Sequence, residues 1–426
     1  MLLSIWREVQ AEGLVWCVMA LSPSLHAAVN LASLLKVYVY ELEAPKIIMD
    51  HFPSYPDETA SRETWNKHIP WAYYRHGYFE PMIVKLMRDS SQRVWDPANA
   101  DFFFVPILPV NCIDFFGDVD ACKAAAREVI AKMRSVGPYW DTKRHRHLVL
   151  AKHCDASKFN AKLPDLWDAG AVQLCLVANA VTMNRSFAVN VPWYTANHEF
   201  DLSAHPPEDR VLLAVFHGSP TVNIDIQAPN PRLRNRSEWR YLPMVQDMRM
   251  RALQGTSEHC GLDCDTHLLN RQQIHNATFM DYFVNNLTRY NLGWSRFNIM
   301  PPGDCLSRQA WYQTIASGCV PVILDFPEGS PWAQEFPFSD VLDWSKFSVH
   351  FRLRRGPEIQ GWRSFWPRLE KLLRELVRTG EASNLLRGVS AIQRRFLWTE
   401  DGVLRNILEV LALRVIGEAE EPSPTP

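Results

Sequence analysis

Short runs of continuous apolar residues alternate along this chain with longer stretches in which apolar positions recur every three or four residues. Leu34 to Leu42 (LLKVYVYEL), Ala100 to Pro106 (ADFFFVP) and His147 to Ala151 read as buried strands, rich in β-branched and aromatic side chains. Phe79 to Asp89 and Ala121 to Val136 carry the helical spacing between them. Strands alternating with helices predict a parallel sheet wrapped by helices. A polar, proline-containing segment from Asn197 to Asp209 reads as a linker, and Val211 to Phe216 begins a second α/β unit. The pattern fades over Pro229 to Asp265, which reads as partly loop, and returns at Arg296. Arg363 to Arg378 and Val403 to Ile416 are amphipathic helices, and the tail after Gly417 (EAEEPSPTP) has the composition of a disordered segment.

The unit after Arg296 is the one that suggests chemistry. Arg296 to Met300 is a strand, Pro301-Pro302-Gly303-Asp304 a loop, Ser307 to Ser317 a helix, and Cys319 to Leu324 (CVPVIL) a second buried strand. Gly318 stands where a left-handed residue closes a helix at little cost. In open α/β folds such a loop lies at the carboxyl end of the sheet, where ligands bind. The helix start offers unpaired N–H groups and the positive end of the dipole, a site for phosphate. Arg308 in the first turn adds a bidentate contact for a diphosphate, and Gly303 lets the backbone approach it. Ser307 either caps the helix or binds the phosphate. No GxGxxG, GxxxxGK[ST], HExxH or GxSxG occurs, which removes several common enzyme classes.

Composition adds limits. The chain has 426 residues, enough for two to three domains at roughly 150 residues each. Its 45 basic and 47 acidic residues leave a net charge of −2, which argues against a nucleic-acid partner. Trp is abundant and suits stacking on sugar rings, although most Trp side chains serve the core. No charge occurs from Gly13 to Leu35, and Leu14 to Leu21 is purely apolar, so a signal anchor or signal peptide is expected there. Sequons at Asn184, Asn235, Asn276 and Asn286 fit a secretory chain. The nine cysteines form no CxxC pair, Cys260/Cys264 has no second pair for a zinc site, and the odd number leaves at least one thiol over.

The stretch SRFNIMPPGDCLSRQAWYQTIASGCVPVIL (295–324) resembles the C-terminal signature of the exostosin-like glycosyltransferases. FPFSDVLDWSKFSV (336–349), KVYVYEL (36–42), VWDPANADFFFVP (94–106), PYWDTKRHRHLVLAKHCD (138–155) and RRFLW (394–398) resemble theirs too, in family order from about Lys36 to Ile416. The wording SRQAWYQTIASGC is closer to the plant and algal branch, that of the xyloglucan galactosyltransferases. The resemblance implies an α/β fold of GT-B type, two Rossmann-like doubly wound domains facing a central cleft. It further implies a type II Golgi membrane protein with a luminal catalytic domain, inverting transfer from a nucleotide sugar (usually UDP-linked), and a glycan acceptor. On this reading residues 1–35 are the signal anchor or signal peptide, 36–205 the acceptor domain and 206–395 the nucleotide-sugar domain. Residues 396–416 are a helix packing back and 417–426 a disordered tail.

Carried over by position, Gly303, Asp304, Ser307 and Arg308 fall on the donor-phosphate motif and Gly318 on its closing glycine. Gln313 falls where the family usually has Asp or Glu, expected to hold the donor ribose; an amide also pairs with hydroxyls. Inverting transfer needs a general base, expected at a strand end of the first domain, where His153 and Asp155 follow HLVLA. A polar strand end that only serves a turn explains either residue taken singly. Asp114 is a weaker choice. Arg232 and Arg234 are further donor-phosphate candidates, or a solvated basic run. The triplets Asp118-Val119-Asp120 and Asp263-Cys264-Asp265 read as loop residues, and no essential metal or other cofactor is expected. The expected partners are the donor, the acceptor, the Golgi membrane and other glycosyltransferases in complex. The competing readings are a catalytically silent member that scaffolds another glycosyltransferase, motivated by Gln313, and an epimerase of GT-B shape.

Overall fold

The structure, a computed structural model, describes residues 23–42, 79–106, 119–153, 170–177, 186–192, 206–218, 252, 256, 260, 263–268, 289–301, 309–325, 336–352 and 365–420. Six parallel strands form the first sheet: β1 (Val37–Val39), β2 (Arg93–Val94), β3 (Phe102–Val105), β4 (His147–His153), β5 (Val172–Val177) and β6 (Ala188–Asn190). Their spatial order is β2-β1-β3-β4-β5-β6. The second sheet holds β7 (Leu212–Gly218), β8 (Cys264–Leu268), β9 (Ser295–Met300), β10 (Val320–Asp325) and β11 (Val349–Arg352), in the order β11-β10-β9-β7-β8. Every pairing in both sheets is parallel.

Both sheets are wound the same way: the second strand lies outside the first, and the chain then reverses direction across the sheet. The reversal falls between β1 and β3 in one sheet and between β7 and β9 in the other. These are the two topological switch points, where open α/β sheets take ligands. The strand sequences suit burial on both faces. All four residues of β3 (FFFV) are buried, as are Phe297, Ile299, Val320, Val322 and Ile323.

The chain's end closes the molecule. Helix α9 (Arg405–Glu420) follows a π-type turn over Glu400–Leu404 and is buried nearly all round from Asn406 to Ala412. Its buried Glu409 pairs with Arg395 and Arg405, and buried Asn406 donates to the Arg395 carbonyl at 2.7 Å. Arg414 reaches the Ala188 carbonyl at 2.5 Å, and Glu400 accepts from Ser91 N at 2.8 Å. Phe338 N donates to Asn190 O at 3.3 Å. Arg414 therefore ties the last helix to β6 of the first sheet.

Several expectations change here. The helix runs through Glu420, three residues past Gly417 into the tail that composition marked as disordered, because Glu418, Ala419 and Glu420 extend it. Asp120 lies in the first turn of helix α3 (Val119–Val136), not in a loop. Cys264–Leu268, which starts in the last two residues of the stretch read as partly loop, is the edge strand β8. Pro23–Ala32, within the charge-free stretch, is helix α1; it packs on α9 with Ala28 and Ala32 buried. Among the described residues no helix is long and apolar enough to cross a membrane, and residues before Pro23 lie outside them.

Candidate functional site

The unit β9–loop–α6–β10 sits beside the switch point of the second sheet, where α6 is Gln309–Ala316. Trp311, Tyr312 and Ile315 turn into the core, and this apolar spacing fixes the helix face. Asn298 Nδ2 in β9 donates to Thr314 Oγ1 at 2.7 Å, and Thr314 in turn donates to the Ala310 carbonyl at 2.6 Å. Strand and helix are so held in register, and the connecting loop opens at the carboxyl end of β9 and the amino end of α6. Gly303, Asp304, Ser307 and Arg308 fall between β9 and α6 in the sequence and lie outside the described residues. Gln313 is buried in the middle of α6, with a relative exposure of 7%.

Gly318 closes the end of α6. Its φ of +70° is left-handed, and a Cβ there would lie 2.6 Å from Arg210 Nη2. Arg210 is buried and caps two helix ends: Nη1 donates to Leu292 O at 3.0 Å and Ser295 O at 2.8 Å, and Nη2 to Ser317 O at 3.0 Å. Gln393 Nε2 donates to Ala316 O at 2.9 Å beside it. Because α6 runs antiparallel to the strands, its end is one helix length, about 12 Å, from its start. Gly318 therefore serves the turn into β10, at the end of α6 away from residues 302–308, as the closing glycine of the unit. Arg210 had no signal in the sequence beyond preceding an apolar strand.

A second cluster was not foreseen. His217, next to last in β7, directs Nε2 to Asp265 Oδ2 at 2.6 Å, and Asn291 Nδ2 donates to the same oxygen at 2.6 Å. Asn291 lies on the short helix α5 (Arg289–Trp294), so three elements meet there. A carboxylate only accepts, which assigns the proton of His217 to Nε2. The His217 side chain is 4% exposed and that of Asp265 37%, so the pair faces outward through its carboxylate. This removes Asp265 from the loop to which its triplet was assigned. Asp263 turns elsewhere, to Arg374 at 3.0 Å. Among the described residues no group of three or more His, Cys, Asp or Glu is placed to hold a metal.

In the first sheet, His153 is the last residue of β4, paired in register with Val177, at the carboxyl end. Asp155, Asp114, Asp118, Arg232, Arg234 and the sequon residues Asn184, Asn235, Asn276 and Asn286 lie outside the described residues. At the opposite, amino end of β4 a different histidine is held in the core. His147 is buried, Tyr40 OH donates to its Nε2 at 2.9 Å, and its Nδ1–H donates to Lys143 O at 2.9 Å. Burial pulls its pKa down to about 4, so it stays neutral.

Cys260 and Cys264 form a disulfide at the start of β8, and Cys175 is disulfide-bonded as well. Cys319 is free and buried, and burial pushes its thiol up to about 12.

The family model of the Exostosin GT47 domain matches residues 32–362, more than three quarters of the chain. Among curated proteins, a probable glycosyltransferase of Arabidopsis thaliana is 39% identical over 66 residues, 16% of this chain. That match spans 13% of the relative's own length.

Proposed function

The chain belongs to the exostosin GT47 family, and from that premise we propose that it is an inverting glycosyltransferase of the Golgi lumen. It moves a sugar from a nucleotide donor, UDP-linked, onto a cell-wall or extracellular-matrix glycan or glycoprotein. The observation that carries this reading is the β9–loop–α6–β10 unit beside the switch point of a doubly wound second sheet, inside the family match. Family membership supports donor and acceptor classes; the sugar, the acceptor and the stereochemistry are this reading's own.

In such a transfer the acceptor hydroxyl attacks the anomeric carbon from the side opposite the diphosphate. A base takes the hydroxyl proton, and the leaving diphosphate gains charge. The amino end of α6, with Arg308 next before it in sequence, is suited to that charge, since oriented N–H groups and a guanidinium need no reorganisation. His153 and Asp155 are the base candidates on the first domain. His217, fixed by Asp265 on the second, is read as a donor-side residue. No step requires a metal.

Disulfide-bonded cysteines support an oxidising lumen. Anchoring or cleavage is assigned to the residues before Pro23, because α1 belongs to the packed fold. Gln313, an amide where the family carries a carboxylate, favours a second reading, a silent scaffold for another glycosyltransferase. Incubating the purified chain with a panel of UDP-sugars and following UDP release distinguishes the two. Release from at least one sugar supports the enzyme, and release from none supports the scaffold.

A further inference from the structure

One large aromatic side chain of the first domain is exposed yet held still. Trp95 follows β2 and is 74% exposed, although a lone tryptophan in water gains nothing from staying there. The Arg93 guanidinium lies over its ring, 3.7 Å from the centroid. Arg93 is itself fixed: Nη2 pairs with Glu41, Nη1 donates to Arg88 O at 3.2 Å, and its side chain is only 12% exposed. The chain beyond Trp95 is equally constrained. Asp96 caps the turn Pro97–Asn99, accepting from Ala98 N at 2.9 Å and Asn99 Nδ2 at 3.1 Å, and Pro97 locks its own φ.

Trp95 and Glu41 both lie just past the carboxyl ends of neighbouring strands, β2 and β1, on the carboxyl side of the sheet and one strand from its switch point. The indole supplies an apolar face on the side away from Arg93, and the nearby Glu41 carboxylate is 59% exposed. That combination matches a pyranose ring, whose C–H face stacks on an aromatic while its hydroxyls pair with charged groups at the edge. A lipid surface or an apolar peptide needs a wider apolar patch, whereas Asp96 and Asn99 beside Trp95 are exposed and polar.

We propose that Trp95, backed by Arg93 and rimmed by Glu41, is a stacking platform for a sugar ring of the glycan acceptor. The inference rests on the glycosyltransferase reading and names where that enzyme's acceptor lies. Fixing the indole in advance lowers the ordering cost of capture.

The test uses the full chain, Trp95→Ala and Trp95→Tyr on an array of cellohexaose, xylohexaose, galactohexaose and chondroitin hexasaccharide, with UDP titrated into each protein by calorimetry. The expected result is that Trp95→Ala weakens the best-bound glycan at least tenfold, Trp95→Tyr retains most of the affinity, and UDP binding is the same in all three. Trp95→Ala within twofold of the parent, with UDP still bound, overturns the platform alone. So does a loss seen on phosphatidylcholine vesicles instead of the glycan, which assigns the indole to a membrane surface. Failure of the parent to bind any glycan while it binds UDP also overturns the platform. Failure to bind both overturns the transferase reading with it.

Discussion

Asp265 Oδ2 holds His217 Nε2 at 2.6 Å across 48 residues of sequence, because β8 pairs with β7 one strand away from the donor-side switch point. The bond sets which ring nitrogen carries the proton and leaves Nδ1 as the acceptor side of the ring. Asp265→Asn removes the charge and keeps the shape. It is expected to lower kcat/KM for the donor about tenfold, a loss of about 1.4 kcal/mol of transition-state stabilisation. The melting temperature should stay within a few degrees of the parent. Unchanged kinetics with lowered stability would make the pair a structural one.

His147 gives a pH dependence of stability. In the unfolded chain it takes up a proton near pH 6.5, whereas in the fold its pKa is held down to about 4. Between those values the unfolded state binds more protons, so stability is full above pH 6.5 and is lost as pH falls through 4. The contribution at stake is about 3 kcal/mol, at about 1.4 kcal/mol per pKa unit. Urea unfolding at pH 7 and pH 4.5 should show the parent losing more stability than His147→Asn. Equal losses would remove His147 as the cause.

Gly318→Ala should destabilise without touching the donor. A Cβ meets the Arg210 guanidinium at 2.6 Å in a left-handed backbone, so strain of about 1–3 kcal/mol adds to the disturbed capping bonds. Thermal unfolding should show a lower midpoint, with UDP affinity of the folded protein unchanged. A selective loss of UDP affinity would return Gly318 to the donor site.

Much of this was legible in the sequence, for identifiable reasons. The strand at Cys319–Leu324 and the turn at Gly318 are readable because a continuous apolar run and a left-handed glycine are local signals. β8 is not, since CDTHL is polar and short and becomes a strand only by pairing with β7 on one side. α1 is hidden for the opposite reason. Its apolar residues read as a membrane segment, and only the packing of Ala28 and Ala32 on α9 reveals a domain helix. The His217–Asp265 bond depends on strand register, which no spacing in one chain encodes.

Arg308→Ala should lower turnover on the order of 100-fold, the effect of removing one charge-stabilising donor from a preorganised site. Circular dichroism should be unaltered, since the substitution precedes α6 and leaves its buried face intact. Turnover equal to the parent would show that the diphosphate sits elsewhere. Transfer should also persist in EDTA, and activity abolished by EDTA and restored by Mn²⁺ would contradict the metal-free reading.

The central claim is that the second sheet holds a nucleotide sugar, and titration of UDP into the purified chain by calorimetry tests it most directly. The account predicts one site per chain, weakened at least tenfold in Arg308→Ala and unaffected in Trp95→Ala. No detectable heat of binding with a folded parent protein would contradict it.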